Sequence, residues 1–111
     1  MALEDFFQTY TTDNLGQIFL TGNLNVEPYR KVNFMLITES GINMTVNCAM
    51  GTYSGGGGGG TLALSVAQFA LEFLQPVIHT FDVIGPEFRI WLAGGPPNTD
   101  VALQGWLLLQ T

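Results

Sequence analysis

FDVIGPEFRIWLAGGPPNTDVALQGWLLLQ, residues 81–110, holds two runs of alternating residue type separated by a cluster of turn formers. Within FRIWLA (88–93), Phe88, Ile90 and Leu92 fall on one side, and Arg89, Trp91 and Ala93 on the other. Within DVALQGWLLLQ (100–110), Val101, Leu103, Leu107 and Leu109 oppose Ala102, Gln104, Trp106, Leu108 and Gln110. Side chains of extended backbone point alternately to two faces, so a period of two predicts strands with one face in a core. Between them, AGGPPNTD is turn chemistry: Gly admits unusual φ, Pro fixes it, and Asn and Asp bond their own backbone.

The same period recurs upstream. QIFLTGNLNV (17–26) aligns Ile18, Leu20, Leu24 and Val26, and RKVNFMLIT (30–38) aligns Val32, Phe34 and Leu36. NMTVNCAM (43–50) sets Asn43, Thr45 and Asn47 against Met44, Val46, Cys48 and Met50, and TLALSVAQF (61–69) turns Leu62, Leu64 and Val66 inward. VIHTFDVI (77–84) places Val77, His79, Phe81 and Val83 on one face, with Thr80 and Asp82 opposite. The breaks are EPYR, ESGIN, a glycine tract, LQP and IGPE. Short strands at roughly ten-residue spacing with Gly/Pro turns predict an antiparallel β-sandwich, jelly-roll-like, of seven or eight strands. One domain spanning 1–111 is expected. EDFFQTYTTDN (4–14) reads as an eighth strand, an edge strand, or a short helix beginning near Leu3. The expected core is Ile18, Leu20, Leu24, Val32, Phe34, Leu36, Leu64, Phe81, Val83, Phe88, Ile90, Leu103 and Leu107.

Six consecutive glycines, 55–60, interrupt the chain between two strand-like runs. A phosphate cradle needs a helix N-terminus behind the glycines and usually a Lys on the phosphates. TLALSVAQF supplies neither, so the tract is expected to be a flexible surface loop, natural or engineered, with no binding role.

Composition narrows the functional classes. Nine acids against three bases give a net charge of -6, and only 11% of residues are charged. Arg30, Lys31 and Arg89 are too few to replace the counterions of a nucleic acid, so nucleic-acid binding is excluded. No apolar run is long enough for a membrane span, and MALEDFFQTY lacks the basic and apolar regions of a secretory signal. Without a signal, the acceptor pattern Asn43-Met44-Thr45 is expected to stay unglycosylated. Cys48 has no second cysteine to pair with, which suits a reducing compartment.

Catalytic chemistry finds little footing. His79 lies in an apolar alternation and is expected to be a core or rim histidine. Cys48 shares a face with Val46 and Met50 and behaves as a small hydrophobe. No Gly-x-Ser-x-Gly elbow is present, and one His, one Cys and scattered acids make no transition-metal site. Asn98 and Asp100 are possible loop ligand contacts, although both are turn formers in any case. No catalytic residue, metal or cofactor is therefore expected.

The informative surface is the face opposite the core. Phe19, beside Thr21, lies there with Met35, Ile37, Arg89, Trp91, Gln104, Trp106 and Leu108. A soluble monomer seldom exposes two Trp, a Phe, a Met and several aliphatics in one patch. The other layer of the sandwich or the N-terminal segment would cover it in a purely structural arrangement. The functional expectation is a non-enzymatic structural module that self-associates into a homo-oligomer or larger assembly. The alternative is a small lectin-like module with Trp91 or Trp106 stacked on a sugar ring.

Overall fold

A computed structural model describes residues 8–21, 24–51 and 65–111, and the backbone of 2–5; of 65 and 66 also only the backbone is described. Among these residues there is no helix, and ten strands form two antiparallel sheets facing each other as a sandwich. The first sheet contains β1 (Ala2–Asp5), β2 (Gln8–Thr11), β5 (Lys31–Thr38), β8 (Val77–Asp82) and β10 (Asp100–Gln110). The second contains β3 (Ile18–Phe19), β4 (Leu24–Asn25), β6 (Met44–Gly51), β7 (Ser65–Leu71) and β9 (Glu87–Ala93).

β1 and β2 share one edge of β10 in a single register, from Ala2↔Leu109 to Asp100↔Thr11. They act as one edge strand, which selects among the three readings of 4–14. β3 and β4 likewise share an edge of β9, but Ile18↔Leu92 and Leu24↔Phe88 differ in register by two residues. The sheets then run β1/β2–β10–β5–β8 and β3/β4–β9–β6–β7. With β1/β2 and β3/β4 each taken as one strand, every connection crosses between the sheets except β6 to β7, which pair directly. With the paired pieces counted once, these are the eight strands of a jelly roll. The glycine tract, Leu62 and Leu64 fall in 52–64, outside the described residues.

The alternation works as read. β5 buries Val32, Phe34 and Leu36, β9 buries Phe88, Ile90 and Leu92, and β10 buries Val101, Leu103, Leu107 and Leu109. Ile18 and Phe81 are also buried, while Leu20, Leu24 and Val83 pack on the core from partly exposed positions. Phe34 stacks on Phe81 with centroids 6.1 Å apart and meets Phe69 edge-on at 5.8 Å, so aromatic rings join the sheets near β7 and β8. β7 departs from the simple pattern. A bulge opposite Cys48/Ala49 shifts its register by one residue, and Ala67, Phe69 and Leu71 then pair with the inward Cys48, Val46 and Met44.

At one end of the sandwich two turns are tied together. Thr12 Oγ1 donates to Pro96 O at 2.6 Å and accepts from Thr99 N at 2.8 Å. Gly16, at φ 73°, lies so close to Gly95 that a Cβ would sit 2.0 Å from its carbonyl oxygen. Only glycine fits there, on both backbone and space.

Candidate functional site

The expected interaction residues do not form one patch. Because β5 and β10 belong to the first sheet and β3 and β9 to the second, the outward residues divide between opposite sides of the sandwich. Met35, Ile37, Gln104, Trp106 and Leu108 lie on one side, and Phe19, Arg89 and Trp91 on the other. Alternation assigns a residue to inside or outside but never says which of two sheets owns it.

On the first sheet, register lines up Trp106, Met35 and Ile78 across three strands, and Ile78 is 66% exposed. Leu108 stands opposite Asn33, and Gln104 opposite Ile37. Polar groups frame the apolar row. Thr80 Oγ1 donates to Asn33 Oδ1 at 2.7 Å, Asn33 Nδ2 donates to Leu108 O at 3.3 Å, and Gln104 donates to Glu39. Lys31 Nζ meets Asp82 Oδ1 at 2.6 Å, and this bond and charge hold the Asp82 carboxyl below its ordinary range. Beside Gln104, a cleft of about 250 Å³ opens between Gln8, Thr9, Glu39 and Leu103.

On the second sheet the row is Phe19, Trp91, Asn47 and Gln68. Phe19 is 54% exposed, whereas Asn47 is only 6% exposed and accepts from Gln68 Nε2 at 2.9 Å. The Arg89 guanidinium lies 4.9 Å from the centroid of the Trp91 ring, a cation–π contact. Arg89 Nε is buried without a hydrogen-bond acceptor among the described residues. Thr21, expected on this face beside Phe19, instead turns inward: it is buried, and its Oγ1 accepts from Ile90 N at 3.1 Å. The irregular step between β3 and β4 breaks the alternation there, and the hydroxyl caps an N–H on β9.

Other candidates take structural places. His79 packs its ring between Phe69 and Phe81, with centroids 4.9 and 4.5 Å away. Cys48 is buried, and loss of solvent pushes its thiol from 9.0 up to about 12. It is no nucleophile at neutral pH. Asp100 accepts from Thr11 Oγ1 at 2.7 Å, and Asn98, at φ 51°, donates its N–H to Asp13 O. Both therefore serve the turn. Ile78, Asn47 and Gln68 are missing from the sequence-derived set. Ile78 was available from the alternation of β8 itself, whereas Gln68 depends on the phase change at the bulge.

No protein-family model and no curated protein matches the chain. Among solved structures, it is similar to the subunit of Bacillus endospore appendages, described as a novel family of disulfide-linked pili. That likeness has a TM-score of 0.60 at 13% identity and covers 99% of this chain and 87% of that one. A protein of the infectious bursal disease virus Gx strain aligns at TM-score 0.40 and 13% identity, covering 95% of this chain and 31% of that one. At such identity the likeness to the appendage protein is one of fold.

Proposed function

We propose that this chain is a structural module that works by associating with copies of itself, through contacts and without turnover. The observation that carries the reading is the row Trp106, Met35 and Ile78, an apolar band across three adjacent strands on the outside of the first sheet. Flanked by Ile37 and Leu108, it resembles the apolar centre of a subunit interface with a polar border. A chain with 11% charged residues has few groups with which to solvate such a face. The fold is shared with a protein of Bacillus endospore appendages, which form pili, and this agrees with the reading. Disulfide linkage does not carry over through Cys48, the one cysteine, because it is enclosed in the core. The lectin-like reading has weaker support, since a sugar stacking on Trp91 would compete with the Arg89 guanidinium already over the ring.

Molar mass from light scattering after gel filtration, across a concentration series, tests the proposal. Species heavier than the 12.0 kDa monomer are expected. Trp106→Glu is expected to reduce association by at least about tenfold, because a charge desolvated at an interface centre is costly. Its circular dichroism should retain the β spectrum. A wild-type protein that stays monomeric at high micromolar concentration refutes self-association.

A further inference from the structure

The second sheet carries a cation in an unusual setting. Among the described residues Lys31 has its carboxylate in Asp82, but no carboxylate pairs with Arg89. Its guanidinium is half-buried against Trp91, with Nε out of solvent and lacking an acceptor. Buried donors are rarely left unpaired, and a guanidinium held over an aromatic ring is pre-positioned to take a carboxylate. Beside it lie Trp91 and the 54%-exposed ring of Phe19. The surface thus asks for an acidic group adjoining apolar side chains.

The chain presents such a group itself. In the turn between β7 and β8, Glu72 is exposed and has no side-chain partner among the described residues, and Phe73 and Leu74 follow it at 50% and 54% exposure. Leu74 sits at φ 56°, a left-handed conformation that bulky residues seldom adopt. The turn is nonetheless firmly held. Leu74 N donates to Thr38 O at 3.0 Å, Gln75 N donates to Glu72 O at 3.1 Å, and Phe73 bridges to Thr38. A backbone fixed in a costly conformation so as to hold two apolar side chains in water is ready for docking, since little freedom remains to be lost on binding.

We infer that the Glu72-Phe73-Leu74 turn of one copy docks on the Phe19–Arg89–Trp91 surface of the next. Glu72 meets the Arg89 guanidinium, and Phe73 and Leu74 cover Phe19 and the edge of Trp91. The inference rests on the self-association reading and adds to it the pair of surfaces that meet. Turn and receptor are different patches, so the contact is either made twice about a two-fold axis or repeated from copy to copy into a ring or a filament. The occupant is a second copy because its charges complement the site: with nine acids and three bases, each copy offers carboxylates in excess of cations.

Charge exchange tests it. Arg89→Glu and Glu72→Arg are each expected to weaken association at least about tenfold by light scattering, because each places like charges in contact. Mixing the two variants in equal amounts should restore assembly to within about threefold of wild type, since each supplies the surface the other lacks. A mixture that associates no better than its components overturns the inference, as do single variants that associate like wild type. If Arg89→Glu does not fold, Glu72→Arg and Leu74→Gly, both on an exposed turn, decide the matter: association unchanged in both overturns it, and weakened in both supports it. A monomeric wild type sinks the self-association reading itself, whereas an assembling wild type indifferent to these changes sinks the contact between turn and receptor alone.

Discussion

Gly105 occupies an inward position of β10, in the apolar ladder between Leu103 and Leu107. A Cβ there would stand 2.1 Å from Met35 O and 2.8 Å from the Leu36 side chain. β5 and β10 can approach at this point because the residue has no side chain. Met35 and Trp106, paired across the same two strands, thereby keep their alignment on the outer face. Gly105→Ala has to push the two backbones apart, and overpacking of this kind costs about 3 kcal/mol. Chemical denaturation should show a lowered midpoint, and loss of the Met35–Trp106 register should weaken association as well. A stability within about 0.5 kcal/mol of wild type, the range of an innocuous surface change, would mean that the strands relax freely there.

Strand identity was legible from residue type, and strand ownership was not. Thirty residues around FRIWLA and DVALQGWLLLQ give the phase of β9 and β10 correctly, because each has one face in an apolar core. That β9 and β10 lie in different sheets depends on pairing with strands far away in sequence, to which side-chain alternation is blind. This is why an expected single patch becomes two faces. QIFLTGNLNV reads as one strand, yet β3 and β4 are short pieces separated by a two-residue change of register. Thr21 holds that junction together: its backbone N–H donates to Ile90 O at 3.3 Å, and its hydroxyl accepts from Ile90 N. Thr21→Val keeps the shape and removes the acceptor, leaving a buried N–H unpaired at a cost of about 2 kcal/mol. Hydrogen exchange of the Ile90 amide reports it, with faster exchange expected and unchanged protection counting against the role.

At the scale of the whole molecule, the buried thiol links stability to pH. The folded state raises Cys48 from 9.0 to about 12, so the folded protein holds this proton more tightly than the unfolded chain. Its contribution is fully present below pH 9.0 and is lost as pH rises towards 12. Between those limits stability should fall by up to about 1.4 kcal/mol per pH unit from this group. Thermal melts of wild type and Cys48→Ala at rising pH separate it from other alkaline titrations: the gap between them should narrow above pH 9.0, and a constant gap would show that the thiol does not take part. The strand order also has a consequence in time. β10 is the last described strand, yet it lies between β1/β2 and β5 and supplies the hydrogen bonds to both. During synthesis β1/β2 and β5 lack the strand that pairs between them until Asp100–Gln110 has been made. Closure of the sheet therefore waits for β10 and joins distant parts of the chain, which places the protein among slow folders, on the order of milliseconds to seconds. Until that moment the nascent chain carries unpaired strand edges among its crowded neighbours, and cellular escort matters most before β10 emerges.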